Sequence, residues 1–146
     1  MKAIVINGPN INMLGVREPA IYGSETYEDL IFLCQDKGRE MGFDGVACFQ
    51  SNHEGEIVDA IQGALGEFDG IVINPAAYTH TSIAILDALK AVGLPAIEVH
   101  ISDVDEREPF RHLSYVGMAC TGRVVGEGIQ GYAHALEILA DQIRRA

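Results

Sequence analysis

The sequence lacks an excess of positive charge, because 10 Lys and Arg residues stand against 21 Asp and Glu residues, a formal net charge of -11. A chain with this charge is repelled at long range by a nucleic acid backbone and by an anionic membrane surface, which argues against both as general partners. A small anionic ligand is still compatible with the composition, since a few arginines in one cleft reverse the potential locally.

Cysteine pairs and long apolar runs are also missing. The three cysteines, Cys34, Cys48 and Cys120, form no C-x-x-C motif, which predicts reduced thiols in the core instead of a metal or redox site. No stretch reaches the roughly 18 apolar residues that a membrane span requires, and the opening apolar run meets Asn7 too early for a signal peptide. We therefore expect a cytosolic protein.

Apolar residues are plentiful, and their spacing alternates between two patterns. With 146 residues, 48% of them hydrophobic, the chain fills one core, which predicts a single domain over residues 1–146. Short, nearly continuous apolar runs are typical of buried parallel strands, and they occur at residues 3–6, 46–49, 71–73, 96–101 and 124–125. Apolar residues at helical spacing lie between and after these runs, near residues 27–41, 57–68, 83–89 and 133–143. The pattern predicts an α/β fold, a three-layer flavodoxin-like sandwich whose five-stranded parallel sheet has helices on both faces.

Two connections, residues 8–25 and 102–121, are longer than the fold requires. Long loops in small domains are usually functional or disordered. Both contain arginines among Gly, Pro and hydroxyl residues, which favours a mobile cover that brings positive charge to a ligand.

Polar residues follow the predicted strands at the edge where ligands bind in open parallel sheets. This edge collects Asn10, Asn74, His80, His100 and Ser102. Each of these residues has an ordinary role in turns or caps, but together they predict a binding site.

Several kinds of chemistry are disfavoured by what this site lacks. Imine formation needs a lysine that faces the pocket, whereas Lys2 begins a strand at the wrong edge and Lys37 and Lys90 fall in predicted helices. No H-x-H, H-E-x-x-H or phosphate-binding G-x-x-x-x-G-K-[ST] motif is present, so no metal site is predicted. A G-x-G-x-x-G motif spans residues 126–131, but no further strand follows its helix, so we interpret these glycines as a tight turn with close packing.

Proton transfer remains, and histidine and tyrosine are the available groups. Tyr22 is a candidate base, because Arg17 in the same loop and Arg111 in the other are cations that lower a phenol pKa when they lie close. His100 is two residues after Glu98 on one strand, so both face the same side, and a carboxylate there favours the proton-donating imidazolium. His80 and Asp87, seven residues apart, are expected to share one face of a helix.

The residues as a set resemble the type II 3-dehydroquinate dehydratases. The resemblance covers essentially the whole chain in order and is carried by NGPN at residues 7–10, LGVREP at 14–19, IYG at 21–23, QSNHEG at 50–55, NPAAYTHTS at 74–82, EVHIS at 98–102 and GIQGY at 128–132. It implies a reversible anti elimination of water from 3-dehydroquinate through an enolate, giving 3-dehydroshikimate, with neither a metal nor an organic cofactor.

The resemblance also implies a role for each matching residue. Tyr22 is the base, Arg17 lowers its pKa, and Asn10 holds a water that supports the enolate oxygen. His100, oriented by Glu98, protonates the departing hydroxyl. The implied substrate contacts are Asn74, His80, Ser102, the backbone at Ile101, Arg111 and, from a neighbouring subunit of a homododecamer built as a tetramer of trimers, Asp87.

Modest departures accompany this likeness, and alternatives stay open. Ala76 stands where glycine is common, and Pro109, where an acidic residue is more usual, is expected to affect the path of the second loop. A flavin-binding or regulatory module on the same fold, or an isomerase of a related keto acid, would use the same polar edge. Either aromatic biosynthesis or quinate breakdown would employ the dehydration.

Overall fold

The computed structural model describes residues 1–16 and 18–146, without the side chain of Tyr22, and this part of the chain contains one five-stranded parallel sheet. The strands are β1 (Lys2–Asn7), β2 (Gly45–Gln50), β3 (Gly70–Asn74), β4 (Ala96–His100) and β5 (Gly122–Val125), in the order β2-β1-β3-β4-β5. This is the flavodoxin-like strand order. After β2 the chain returns to the other side of β1 and adds β3, β4 and β5 there, and ligands bind in such folds at the point between β1 and β3 where the order of addition reverses.

Helices cover both faces of the sheet. They are α2 (Tyr27–Met41), α3 (Glu54–Gly63), α4 (Ile83–Val92) and α5 (Gln130–Arg145), whereas the short helix α1 (Pro19–Tyr22) lies in the first long connection. On one face, α2 and α5 share a core that includes Leu30 and Leu136, while α3 and α4 bury Ile57 and Ile85 on the other. The predicted three layers are confirmed. Among the described helices, none has the length and apolar character needed to cross a membrane.

Helix α2 shows how local sequence sets these boundaries. Thr26 Oγ1 accepts a hydrogen bond from the Asp29 N–H, and the Asp29 carboxylate accepts one from the Thr26 N–H, which forms a capping box. At the other end, Gly42 adopts the left-handed conformation with φ 89°, which is typical of a glycine that caps a helix C-terminus.

Helix α3 ends earlier than its apolar pattern predicted. The predicted face extended to Phe68, but α3 ends at Gly63, and Leu65 is 61% exposed. Gly66, with φ 81°, lies in the turn that redirects the chain toward β3, so spacing beyond Gly63 no longer reports a helical face.

The glycines at residues 126–131 have the structural role that was predicted. Gly126 and Gly128 have φ 76° and 62°, which form the tight turn between β5 and α5. A Cβ atom on Gly131 would lie 3.3 Å from Val99 Cγ2 and 3.4 Å from Val124 Cγ1, so its absence lets α5 pack closely on the sheet.

The two long connections contain short, anchored helical turns. The first includes the turn Ile11–Met13 and helix α1, and the second includes the turns Val104–Glu106, Pro109–Arg111 and Val116–Ala119. Buried Ile11, Val104 and Val116 attach three of these turns, Ile11–Met13, Val104–Glu106 and Val116–Ala119, to the core. Pro109 takes the first position of its turn, where the fixed φ of proline is favourable, and Arg111 ends that turn.

Candidate active site

A cavity of about 280 Å³ lies at the carboxyl ends of β1, β3 and β4, on the predicted ligand-binding edge. It contains seven residues that the sequence placed in the site: Asn10, Asn74, His80, His100, Ile101, Ser102 and Arg111. The volume is near the lower end for small-molecule pockets, which suits a compact metabolite.

The cavity depends on a close approach between the ends of β1 and β3. Gly8 N–H donates a hydrogen bond to Asn74 O over 2.8 Å, and a Cβ atom on Gly8 would lie only 2.5 Å from Pro75 O. Two residues on, Asn10 adopts a left-handed φ of 71° and its N–H donates to Asn52 Oδ1 over 3.1 Å. Glycine is therefore required at position 8 for the first loop to reach the cavity.

His100, which lines the cavity, is hydrogen-bonded to a carboxylate that is buried behind it. His100 Nε2 donates to Glu98 Oε2 over 2.6 Å, since a carboxylate only accepts, and Ser114 Oγ donates to the same oxygen over 2.7 Å. Glu98 is fully buried, and burial raises its pKa, but the hydrogen bond and charge of His100, with Ser114 and Arg123, hold that pKa below its ordinary value. Glu98 therefore remains an anion that orients the His100 ring.

His80 lies beside His100 and is hydrogen-bonded to the backbone of the second long loop. Its Nδ1 is 2.7 Å from Leu113 O, and because a carbonyl only accepts, this nitrogen carries the proton. The rings of His80 and His100 are stacked, with centroids 6.5 Å apart. Burial is the main cause that lowers the pKa of His80, and the adjacent charges of His100 and Arg111 lower it further, although the hydrogen bond to the Leu113 carbonyl opposes these effects. His80 thus offers a neutral Nε2 acceptor to the cavity.

A buried tyrosine, not predicted to act in the site, holds Asn74 in place. Asn74 Nδ2 donates to Tyr132 Oη over 2.9 Å, and Tyr132 Oη donates to Asn7 Oδ1 over 2.6 Å. Asn74 Oδ1 in turn accepts from Ala76 N–H over 3.1 Å. Tyr132 is fully buried, and burial raises its pKa well above the ordinary value, so the phenol stays protonated. The network fixes the orientation of the Asn74 amide.

Replacing Tyr132 with phenylalanine is expected to lower the free energy of unfolding by about 2–4 kcal/mol, because two buried polar groups lose a partner. Urea denaturation measures the change. Tyr78→Phe is the matched control, since Tyr78 Oη donates to Asn52 O in an exposed setting and its loss should cost less than about 1 kcal/mol. Equal losses in the two variants would contradict a structural role for the buried network.

Arginines supply positive charge on the side of the second loop. Arg111 lines the cavity and donates from Nε to Glu108 Oε2 over 2.6 Å, while its guanidinium lies 5.1 Å from the centre of the Phe110 ring. Arg107 also lines the cavity, and its Nη1 donates to Ser102 Oγ over 3.4 Å. Arg107 was missed as an individual site residue, although the loop as a whole was expected to bring arginines to the ligand.

The remaining predicted residues are placed differently. Arg17 lies outside the described residues, as does the side chain of Tyr22, so the predicted base and its cation have no described geometry. Asp87 is exposed on α4 and does not line this cavity. The prediction that His80 and Asp87 share a helix face is wrong, because His80 ends the turn Ala76–His80, whereas α4 begins at Ile83.

The arrangement suits proton transfer on a small anion. A buried anion orients a histidine donor, a neutral histidine accepts, and an amide, a hydroxyl and two guanidinium groups can bind oxygen atoms. Within residues 1–16 and 18–146, no group of three or more His, Cys, Asp and Glu side chains is arranged to hold a metal ion.

Comparison with known proteins shows what the chain is similar to. The family model described as dehydroquinase class II matches residues 1–140. The 3-dehydroquinate dehydratase of Caldicellulosiruptor bescii is 55% identical over 141 residues, which are 96% of this chain and 97% of that protein. Catabolic 3-dehydroquinase 1 of Neosartorya fischeri is 54% identical over 137 residues, covering 94% of this chain and 91% of that protein. The crystal structure of type II dehydroquinase from Butyrivibrio crossotus gives a TM-score of 0.92 at 52% identity, covering 95% of this chain and 97% of that one.

Proposed function

The chain belongs to the class II dehydroquinase family, and from that premise we propose a role in the family's reaction for the residues predicted for the site. It catalyses the dehydration of 3-dehydroquinate to 3-dehydroshikimate. That reaction breaks a C–H bond next to a ketone and a C–O bond on the neighbouring carbon, so it needs one base and one acid.

We assign the base to Tyr22 and the acid to His100. The Tyr22 phenolate, stabilised by Arg17, takes the proton from the carbon next to the ketone, and the electron pair passes into an enolate. When the ketone re-forms, the hydroxyl on the next carbon departs and leaves as water with the proton of His100. The observation that carries this assignment is the 2.6 Å hydrogen bond between His100 and buried Glu98 at the cavity wall.

The oxygen atoms of the substrate are assigned to the other cavity residues. The carboxylate is a ligand for hydrogen-bond donors such as the Asn74 amide, the Ser102 hydroxyl and the backbone at Ile101, which lie together in the cavity. Arg111 and His80 bind substrate hydroxyls, and Asn10 holds a water against the enolate oxygen. The fixed orientations of Asn74 and His80 support these roles, because neither side chain has to reorganise when the substrate binds.

We also propose that the active form is a homododecamer, a tetramer of trimers, in which Asp87 reaches the site of a neighbouring subunit. The exposure of Asp87 on α4, away from its own cavity, supports this role. Sedimentation should give twelve times the mass of one chain, and an active monomer would contradict the proposal. A cytosolic location and the lack of a nucleic acid partner stay predictions from the composition.

An ultraviolet assay tests the dehydration directly. The product contains a conjugated enone and the substrate does not, so absorbance should rise when the purified protein meets 3-dehydroquinate. The same rate is expected after dialysis against a chelator, with no added cofactor, because no step requires one. An isomerase would consume the substrate without forming this enone, and a flavin-binding module would be yellow and inactive, so either result would overturn the assignment.

A further inference from the structure

Strand β5 places a cation next to the buried carboxylate that orients His100. In the parallel pairing of β4 and β5, Arg123 is the direct partner of Glu98. Paired residues of adjacent strands project to the same face, and a shift of one residue would turn Arg123 to the other face. Arg123 Nε lies 3.4 Å from Glu98 Oε1, the oxygen that does not receive the hydrogen bonds of His100 and Ser114. Glu98 Oε1 is buried and, among the described residues, accepts no hydrogen bond of good geometry.

We propose that Arg123 is a positioning residue for the dehydration, whose guanidinium keeps the Glu98 carboxylate charged and in place while His100 gives up and regains its proton. The inference rests on the proposed role of His100 as the acid. When His100 becomes neutral in turnover, Glu98 loses its nearest positive charge inside a buried site, where an uncompensated anion is costly. Arg123 does not take part in the proton transfer, so its charge stays and keeps the proton of His100 from passing to Glu98.

Few other groups near Glu98 are able to compensate its negative charge. The titratable side chains near Glu98 come from β4, β5, the turn Ala76–His80 and the second long loop. They are His100, Arg123, His80, His112 and Cys120. Burial and the adjacent Glu98 raise the pKa of Cys120 to about 12, so the thiol is neutral, and burial keeps His80 neutral as well. Asp105 faces the outer side of Arg123, with its Oδ2 3.2 Å from Nη1. This outer pair is exposed and therefore weak, and it leaves the inner pair with Glu98 intact.

The pH dependence of kcat/KM distinguishes positioning from a general structural role. In Arg123→Gln, loss of the cation removes a force that lowers the pKa of Glu98, so Glu98 takes a proton at a higher pH. The acid limb of the profile should therefore move up by about 0.5–1 pH unit. This is at or below the lower end of the usual effect of a nearby opposite charge, because Arg123 is 37% exposed. At the acid end kcat/KM of the variant should be about three- to tenfold below that of the unsubstituted enzyme. At pH 8 kcat/KM of the variant should stay near its plateau value.

Matched variants complete the experiment. Arg123→Lys keeps a positive charge and should restore most of the acid limb, and Asp105→Asn removes only the outer partner and should leave that limb in place. Arg123→Met, which keeps the aliphatic length, replaces the Gln variant if that variant unfolds at lower temperature than the unsubstituted protein. A loss of activity equal at all pH values, or a profile that superimposes on that of the unsubstituted enzyme, would overturn the inference. Full turnover in His100→Gln would instead overturn the proposed function, so the two failures are distinguishable.

Discussion

Replacing His100 with glutamine is expected to lower kcat for the dehydration by about 10²–10⁴-fold, the usual contribution of a general acid or base. Glutamine carries a side-chain N–H that is able to donate to Glu98 as His100 Nε2 does, so the buried carboxylate retains a partner. It has no dissociable proton, so the hydroxyl has to leave without an acid. The change therefore acts on the chemical step far more than on substrate binding, and KM should change only severalfold.

His134→Gln is the matched control for this substitution. His134 is an exposed histidine on α5 that also contacts a carboxylate, Glu127, with Nδ1 3.0 Å from Oε2, but it does not line the cavity. Steady-state kinetics on both variants, together with thermal unfolding, separate a catalytic loss from a folding defect. A kcat within about threefold of the unsubstituted enzyme in His100→Gln, with the His134 variant equal to it, would remove His100 from the reaction.

The positions of many site residues could be predicted because a parallel sheet brings the ends of its strands together. The apolar run at residues 71–73 predicted β3, and Asn74 followed from its place at the end of that run. The same reasoning placed Ser102 beyond β4, although β4 ends at His100, one residue earlier than predicted. Strand order did not have to be known for this, since all five carboxyl ends face the same edge.

Contacts that depend on register and on loop paths could not be predicted in this way. Tyr132 belongs to α5, far from Asn74 in the chain, and no local pattern indicates that its hydroxyl reaches β3. Likewise, Arg123 faces Glu98 only because β5 pairs with β4 in one particular register. Ser114 contacts Glu98 because the second loop folds back over β4, and a Cβ atom on Gly117 would lie 2.7 Å from Glu98 Oε1. Spacing within one element carries no information on such pairs.

Ala76 shows a further limit of sequence reasoning. It was noted only as a departure from a common glycine, but its φ of 52° lies in the left-handed region. Alanine in that region costs about 1–2 kcal/mol, and the conformation persists because the Ala76 N–H is bonded to Asn74 Oδ1 at the cavity edge. Because glycine is common at this position in similar proteins, an unusual backbone conformation was indicated. Only the structure gives the sign of the φ angle and the hydrogen bond that accompanies it.

Replacing Tyr22 with phenylalanine is expected to abolish measurable turnover, a loss of about 10³-fold or more, because no other group is assigned to remove the carbon-bound proton. An isolated phenol, with a pKa of about 10, is almost wholly protonated at neutral pH, and a guanidinium within about 4–6 Å lowers that pKa by 1–3 units. Arg17→Gln should therefore raise the pKa of the base. Since the deprotonated base is the active form, the residual activity of the Arg17→Gln variant should rise with pH beyond the optimum of the unsubstituted enzyme.

Tyr78→Phe, at the edge of the same sheet, is the control for Tyr22→Phe and should keep near-normal kcat. Calorimetry with 3-dehydroshikimate should show that Tyr22→Phe still binds product. Near-normal turnover in Tyr22→Phe would move the base to another residue, and an unchanged pH profile in Arg17→Gln would remove the cation from its activation.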